Sequence, residues 1–288
     1  MVRRRLSPSE LVLASGTIRA ASLEETVTAA STAGFSGISV YYDEYVAAKA
    51  RGWTDDGLTD LLDGHGMAVA ELDGRMDWLP GDGDEPSADQ FVAAAVALGA
   101  RSITVLETKG RRVGRDIPWA VAAAAFADLC DRAARFGLLA HIEFYPFSGI
   151  PDMGCAYEVA KRADRANGGI MVDTWHLLRG PDRGRLDPEV PGSAVLAVQV
   201  GDVAETPDED GRFEMMHARL LPGHGVAPLS RLLSDLRTRG CTAPIEVEVY
   251  SDELAALRPE HAANLAFGAL CEVTAGLEPG APISPGPI

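Results

Sequence analysis

The chain has 288 residues, 47% hydrophobic and 24% charged, the balance of a folded globular protein and not of a disordered one. Its net charge of −16 opposes a polyphosphate backbone, so nucleic acid is not an expected partner, although a local basic pocket can still hold a single phosphate. No window reaches the ~18 uninterrupted apolar residues of a membrane span, and the basic start MVRRRLSPSE is not followed by the apolar stretch of a signal peptide.

The spacing of apolar residues predicts alternating strands and helices. A first strand fits Leu11–Ala14, a helix Leu23–Ala33 ended by Gly34, a second strand Gly37–Tyr41, and a helix Asp55–Asp63. A third strand fits Ala68–Leu72, and the Pro/Gly/Asp-rich stretch Leu79–Ser87 reads as a loop. A helix at Ala88–Leu98 leads to a fourth strand, Ser102–Leu106. Pro118 opens a long Ala-rich helix that stops at Gly137. Then follow strand five (Leu138–Phe144), a helix (Ala156–Asp164), strand six (Ile170–Asp173), strand seven (Ala194–Val200), a long loop (Asp202–Gly225), a helix (Leu229–Arg239), strand eight (Pro244–Tyr250) and a last helix (Pro259–Ala275). Eight strand–helix units in one run, with no composition shift, predict a single α/β domain, a (β/α)8 TIM barrel spanning 1–288 with a flexible Pro/Gly-rich tail over 276–288. Cys130, Cys155, Cys241 and Cys271 form no C-x-x-C pair, so reduced thiols in a cytoplasmic protein are expected. Exposed apolar helix faces leave room for a homo-oligomer.

In such a barrel, function sits where each strand ends and its loop begins. Strand five carries His141 and Glu143, strand six Asp173 with His176 just beyond, strand seven Gln199, and strand eight Glu246 and Glu248. An acidic residue set among Ile, Val and Phe is costly unless paired or metal-bound. Glu143, Asp173 and Glu248 at one mouth would repel one another, which a divalent cation resolves; a structural ion-pair network is the competing reading. Oxygen donors, with Gln199 as a neutral fourth, favour Mn or Mg over Zn. Glu246 and Glu248 share a strand face and compete as the strand-eight ligand. His141 reads either as support or substrate contact, or as a satisfied core histidine. Glu107 and Glu71 end strands four and three and either line the pocket or are exposed. Tyr41, Tyr42 and Trp78 either wall the pocket or pack. Lys109, Arg111 and Arg112 form the basic cluster near a strand end, and His217 and His224 read as loop residues.

VDTWH, RLLPGHG and APIEVEVYSDEL resemble the sugar phosphate isomerase/epimerase family of xylose isomerase-like TIM barrels. The resemblance covers almost the whole chain, with its specific motifs in the second half. It implies one metal held by Glu143, Asp173, Gln199 and Glu248, where Gln199 replaces the usual His. It favours Glu248 over Glu246, and it implies substrate contacts from His176 and Arg219, beside His141 and Glu107.

The expected reaction is proton abstraction next to a carbonyl through a metal-stabilised enediolate, with Glu143 and Glu248 on opposite sides of the reacting carbon. That describes an isomerase or epimerase acting on a sugar, keto-sugar or related polyol. A lyase or dehydratase acting on a cyclic polyol, keto-sugar or natural-product intermediate is the alternative. A DNA-repair endonuclease fits poorly, because the chain is acidic and has only six histidines. A non-catalytic subunit would bind no metal.

Overall fold

The computed structural model describes residues 6–75, 78–83 and 86–277. Eight parallel strands pair in sequence order and close, β1 against β8, into a barrel. The strands are β1 (Leu11–Leu13), β2 (Gly37–Tyr41), β3 (Ala68–Arg75), β4 (Ser102–Leu106), β5 (Leu139–Glu143), β6 (Gly168–Asp173), β7 (Val195–Val200) and β8 (Ile245–Val247). Between them run α1 (Leu23–Ala33), α2 (Tyr42–Ala50), α3 (Asp55–Gly64), α4 (Ala88–Leu98), α5 (Trp119–Ala134), α6 (Met153–Ala163), α7 (Thr174–Arg179), α8 (Gly211–His217), α9 (Leu229–Thr238), α10 (Asp252–Ala255) and α11 (Pro259–Thr274).

Helix starts follow local chemistry. Ser22 and Glu25 form a reciprocal cap on α1, Ser87 and Gln90 do the same on α4, and Asp152 caps α6. Each cap satisfies backbone N–H groups that the first turn leaves unpaired. The layer between strands and helices is apolar: Phe91, Phe126, Ile103, Ile142, Val172 and Leu233 are all buried.

Three departures from the sequence reading matter for the site. β3 runs on to Arg75 rather than stopping at Leu72, so Asp73 joins Glu71 on one strand face. β8 is short, ending at Val247, although the Glu248 N–H still donates to Val200 O at 3.1 Å. Helices α2, α7, α8 and α10 lie inside stretches that carried no helix expectation; each is short, from four to nine residues. The expected loop at 79–87 is only partly within the described residues, and the expected tail lies outside them from 278 onward.

Candidate functional site

The barrel interior is polar where barrels of this kind are usually filled by Val, Ile and Leu. Glu71, Asp73, Glu143, Asp173, Glu246 and Glu248 are all 4% exposed or less. They sort into two layers.

The deeper layer holds Glu71, Glu246, His141, Ser102 and Gln199. His141 Nε2 lies 3.2 Å from Glu71 Oε2 and 3.1 Å from Ser102 Oγ. Gln199 Nε2 reaches Glu71 Oε1 at 3.5 Å. Burial, and then repulsion from Asp73, raises Glu71 to about 8, and a hydrogen bond joins it to Glu246. Burial and the Glu71 charge push Glu246 well above the carboxylate range. Burial depresses His141 to about 3, so its imidazole is neutral. This layer is therefore a proton-sharing carboxyl pair beside a neutral histidine.

The upper layer, at the barrel mouth, holds Glu143, Asp173, His176, Arg219 and Glu248. Asp173 ends β6 and is also the cap of α7: its Oδ1 accepts from Trp175 N at 2.6 Å and His176 N at 3.2 Å. Its other oxygen, Oδ2, faces Arg219 Nη1 at 2.7 Å and His176 Nε2 at 3.5 Å. His176 Nε2 also lies 3.1 Å from Glu143 Oε1. Glu248 Oε2 takes the same Arg219 Nη1 at 3.2 Å, and Glu248 Oε1 accepts from the Tyr41 hydroxyl at 3.1 Å. Tyr41 is in turn hydrogen-bonded to Tyr250. Gly16 makes room for this phenol pair, since a Cβ there would stand 2.9 Å from the Tyr250 ring.

Arg219 is immobilised. Its Nε donates to Met215 O at 2.8 Å, and its guanidinium sits 5.2 Å from the Trp175 ring centre and 4.9 Å from that of Tyr250. The loop that delivers it is stapled by Asp202, whose carboxylate accepts from Val203, Gly223, Gly225 and Ala227 N–H groups. Gly225 is needed there because a Cβ would collide with the Val203 carbonyl and the Asp202 side chain.

Charge at the mouth is unbalanced. Burial and the neighbouring Asp173 charge push Glu143 well above the carboxylate range, and burial and mutual repulsion do the same to Glu248 despite Arg219. Burial alone would raise Asp173 too, but Arg219 and His176 hold it below its ordinary value. Burial keeps His176 neutral, lowered to about 4. One guanidinium thus faces three carboxylates, with Asp73 close enough to add to the repulsion.

A divalent cation fits this donor set. Glu143, Asp173 and His176 each offer an atom within 4.8 Å of the others. Gln199 Oε1, buried in the barrel, has no hydrogen-bond partner among the described residues, so a neutral oxygen donor is also to hand.

The structure places two expected substrate contacts elsewhere. His141 stands in the deeper layer, held by Glu71 and Ser102. Glu107 is 0% exposed, and the backbone N–H groups of Lys109, Gly110, Arg111 and Gly149 converge on its two oxygens; it holds a loop together. Tyr42 packs against Phe91, and Trp78 packs against Phe126 and bonds Leu106 O. Arg111 is tied to Asp82 and Pro80, and His217 to Asp252. Sequence reasoning missed Asp73, Trp175 and Tyr250. Asp73 and Tyr250 carried a usable signal, since each lies two residues beyond a candidate carboxylate, Glu71 and Glu248, on a segment of period two.

Comparison with known proteins places this geometry. An inosose isomerase from Halalkalibacterium halodurans is 27% identical over 154 residues, 51% of this chain and 51% of its own length. A 3-dehydroshikimate dehydratase from Pseudomonas aeruginosa is 33% identical over 99 residues, 34% of this chain and 15% of the relative. The chain thus spans about half of the first relative's length and far less of the second's. A crystal structure of an IolI protein, described as binding a zinc atom, superposes with a TM-score of 0.83 at 19% identity, covering 93% of this chain and 99% of that one. At that identity it speaks for the fold. The family described as xylose isomerase-like TIM barrel matches residues 27–271. With that match running through every element from α1 into α11, the chain belongs to the xylose isomerase-like TIM barrel family.

Proposed function

We propose that the chain is a divalent-metal-dependent isomerase or epimerase of a sugar, keto-sugar or related polyol, working at the barrel mouth. The observation that carries this reading is the meeting of buried Glu143 and Asp173 around His176, with Glu248 joined to Asp173 through the Arg219 guanidinium. Glu143 and Asp173 would hold the ion, with further donors drawn from His176, Gln199 and Glu248. When bound, the ion supplies Lewis-acid polarisation of a substrate carbonyl oxygen. Manganese or magnesium suits the oxygens; the imidazole admits zinc as well.

The protein's own groups account for the proton movements. Glu143 and Glu248 lie on two sides of the mouth, and each carboxylate can take the proton from a carbon beside a carbonyl. The C–H electron pair moves into the new C=C bond as the carbonyl becomes an enediolate, and the opposite carboxyl returns a proton to the same or the adjacent carbon. Return to the same carbon inverts it; return to the neighbour, with the hydroxyl proton passing to the former carbonyl oxygen, exchanges aldehyde and ketone. Tyr41, whose hydroxyl is kept protonated by burial and by the Glu248 charge, fixes the orientation of Glu248 Oε1. His176, neutral and held against Asp173, can contact substrate hydroxyls.

The dehydratase reading stays as a second outcome of the same site, supported by the partial match to a 3-dehydroshikimate dehydratase. An enolate with a leaving group beta to it loses that group in place of being reprotonated. Incubation of metal-loaded protein with inososes and ketohexoses in deuterium oxide tests the proposal. Deuterium incorporation at the carbon beside the carbonyl is expected. A new enone absorbance with loss of water would select the dehydratase, and neither signal with any of these substrates would overturn the reading.

A further inference from the structure

We infer that Asp73 is a further substrate-binding residue, one that takes a hydroxyl of the polyol on the β3 side of the mouth and so helps to set which polyols are accepted. This rests on the reading of the mouth as a polyol site, and it names a side chain that reads the substrate there.

The first observation is unmet bonding capacity. Carboxyls that hold loops together in this chain are saturated: Glu107 collects four backbone N–H groups, and so does Asp202. Asp73 is 3% exposed, yet the described residues give it one hydrogen bond, which Oδ1 accepts from Gly74 N at 2.6 Å. Its other oxygen has no donor among the described residues. A buried carboxyl oxygen without a donor costs stability, so this one calls for a partner from outside the chain.

The second is backbone geometry. On its β4 side, β3 pairs Leu72 with Ile103 and Arg75 with Val105, so Asp73 and Gly74 together face the single residue Thr104. Gly74 takes φ +95° at this bulge. Towards β2 the ladder stays regular, Ser39 with Glu71 and Tyr41 with Asp73. Bulges of this kind recur beside active sites, where they end pairing and aim a side chain. Asp73 is thereby set next to Tyr41, whose hydroxyl donates to Glu248.

The third is position. Burial, and then the Glu143 and Glu248 charges, push Asp73 well above the carboxylate range, so it borders the space between the two proposed proton-transfer groups. In the closed strand order β3 stands two strands from β5 and three from both β6 and β8. The group of three whose donor atoms meet, Glu143, Asp173 and His176, does not include Asp73. A substrate held at that cluster by its carbonyl side turns its remaining hydroxyls towards β2 and β3. A hydroxyl donates and accepts, so it pairs with this carboxyl in either protonation state, whereas an ammonium group suits only the ionised one.

The test is binding of polyols that carry no carbonyl and therefore do not turn over. Metal-loaded full-length protein is titrated calorimetrically with myo-inositol and with D-glucitol, and with analogues of each that lack one hydroxyl in turn. Wild type, Asp73→Ala and Asp73→Asn are compared, with circular dichroism to show that each is folded. In wild type, loss of one particular hydroxyl should weaken binding by about 10-fold, the worth of one hydrogen bond to a buried partner. In Asp73→Ala the parent polyol should weaken by a similar factor, and that deoxy analogue should bind as well as the parent. Asp73→Asn, nearly isosteric, should shrink the penalty without abolishing it, and carries the comparison if the alanine variant does not fold. A structural role would weaken parent and analogues alike and keep their ratio as in wild type, which overturns the assignment and leaves the polyol reading intact. An aminodeoxy-inositol that wild type binds more tightly than myo-inositol, and Asp73→Ala does not, overturns the hydroxyl in favour of a cation. A wild type that binds neither parent overturns the polyol reading, and this assignment with it.

Discussion

The two polar layers inside this barrel contain the same kinds of side chain and reach neutrality in different ways. In the deeper layer, Glu71 and Glu246 share a hydrogen bond beside a neutral His141, and protons balance the charge. At the mouth, Arg219 and the capping N–H groups keep Asp173 ionised, while Glu143 and Glu248, also pushed above the carboxylate range, hold protons that a bound cation would displace. The difference follows from donors. Backbone N–H groups and a guanidinium reach the mouth because loops begin there. Only strand side chains reach the deeper layer, and a carboxylate with no donor becomes a carboxylic acid.

Substitutions can break or sharpen that contrast. The largest effect is expected from Glu143→Gln, which would remove the proposed proton-transfer group from the mouth without changing its shape; kcat should fall by about 10²–10⁴-fold with folding retained, measured by deuterium exchange into the product. Arg219→Met comes next. It leaves Asp173 and Glu248 buried without their cation, and should cost about 3–5 kcal/mol in denaturant melts of metal-free protein, with part of that loss recovered on adding metal. A metal-free variant as stable as wild type would show that Arg219 is not the internal counter-ion. Tyr41→Phe deletes one hydrogen bond to Glu248 and should lower stability by about 1 kcal/mol, with a larger effect on kcat than on KM.

Glu71→Gln in the deeper layer tests the other side of the contrast, and the size of its effect depends on pH. Glu71 is raised from 4.5 to about 8, so its folded form prefers the proton. The stability this contributes is complete below about pH 4.5 and is lost as pH climbs through 8. Gln keeps the neutral state at every pH. The variant should therefore gain on wild type between about pH 4.5 and 8, read as a flatter dependence of melting temperature on pH. A parallel pair of pH profiles would mean that Glu71 is ionised in the folded protein and that the two layers do not differ as described.

Much of this was readable in the sequence. Eight strand–helix units, the strand ends at Glu143 and Asp173, and His176 three residues on all stand where the pattern put them. Glu248 and Glu246, which share a strand face, part company in the structure: β8 ends at Val247, and Glu248 turns to Arg219 while Glu246 stays with Glu71. The roles of Glu107 and His141 were not legible, since nothing in a linear pattern says that four backbone N–H groups will fold back on a carboxylate, or that a histidine will face down the barrel rather than out of it. Arg219 lies outside the strand pattern, and its placement depends on Asp202 pinning a turn more than twenty residues away.

The most direct measurement is the melting temperature of chelator-stripped protein as divalent metal is added back. If the mouth carboxylates share a cation, one equivalent should bind, and melting should rise with metal concentration to an extent corresponding to about 2.7 kcal/mol at one hundred times the dissociation constant. A protein that purifies without metal and melts at the same temperature with or without Mn(II), Mg(II) or Zn(II) would contradict the account.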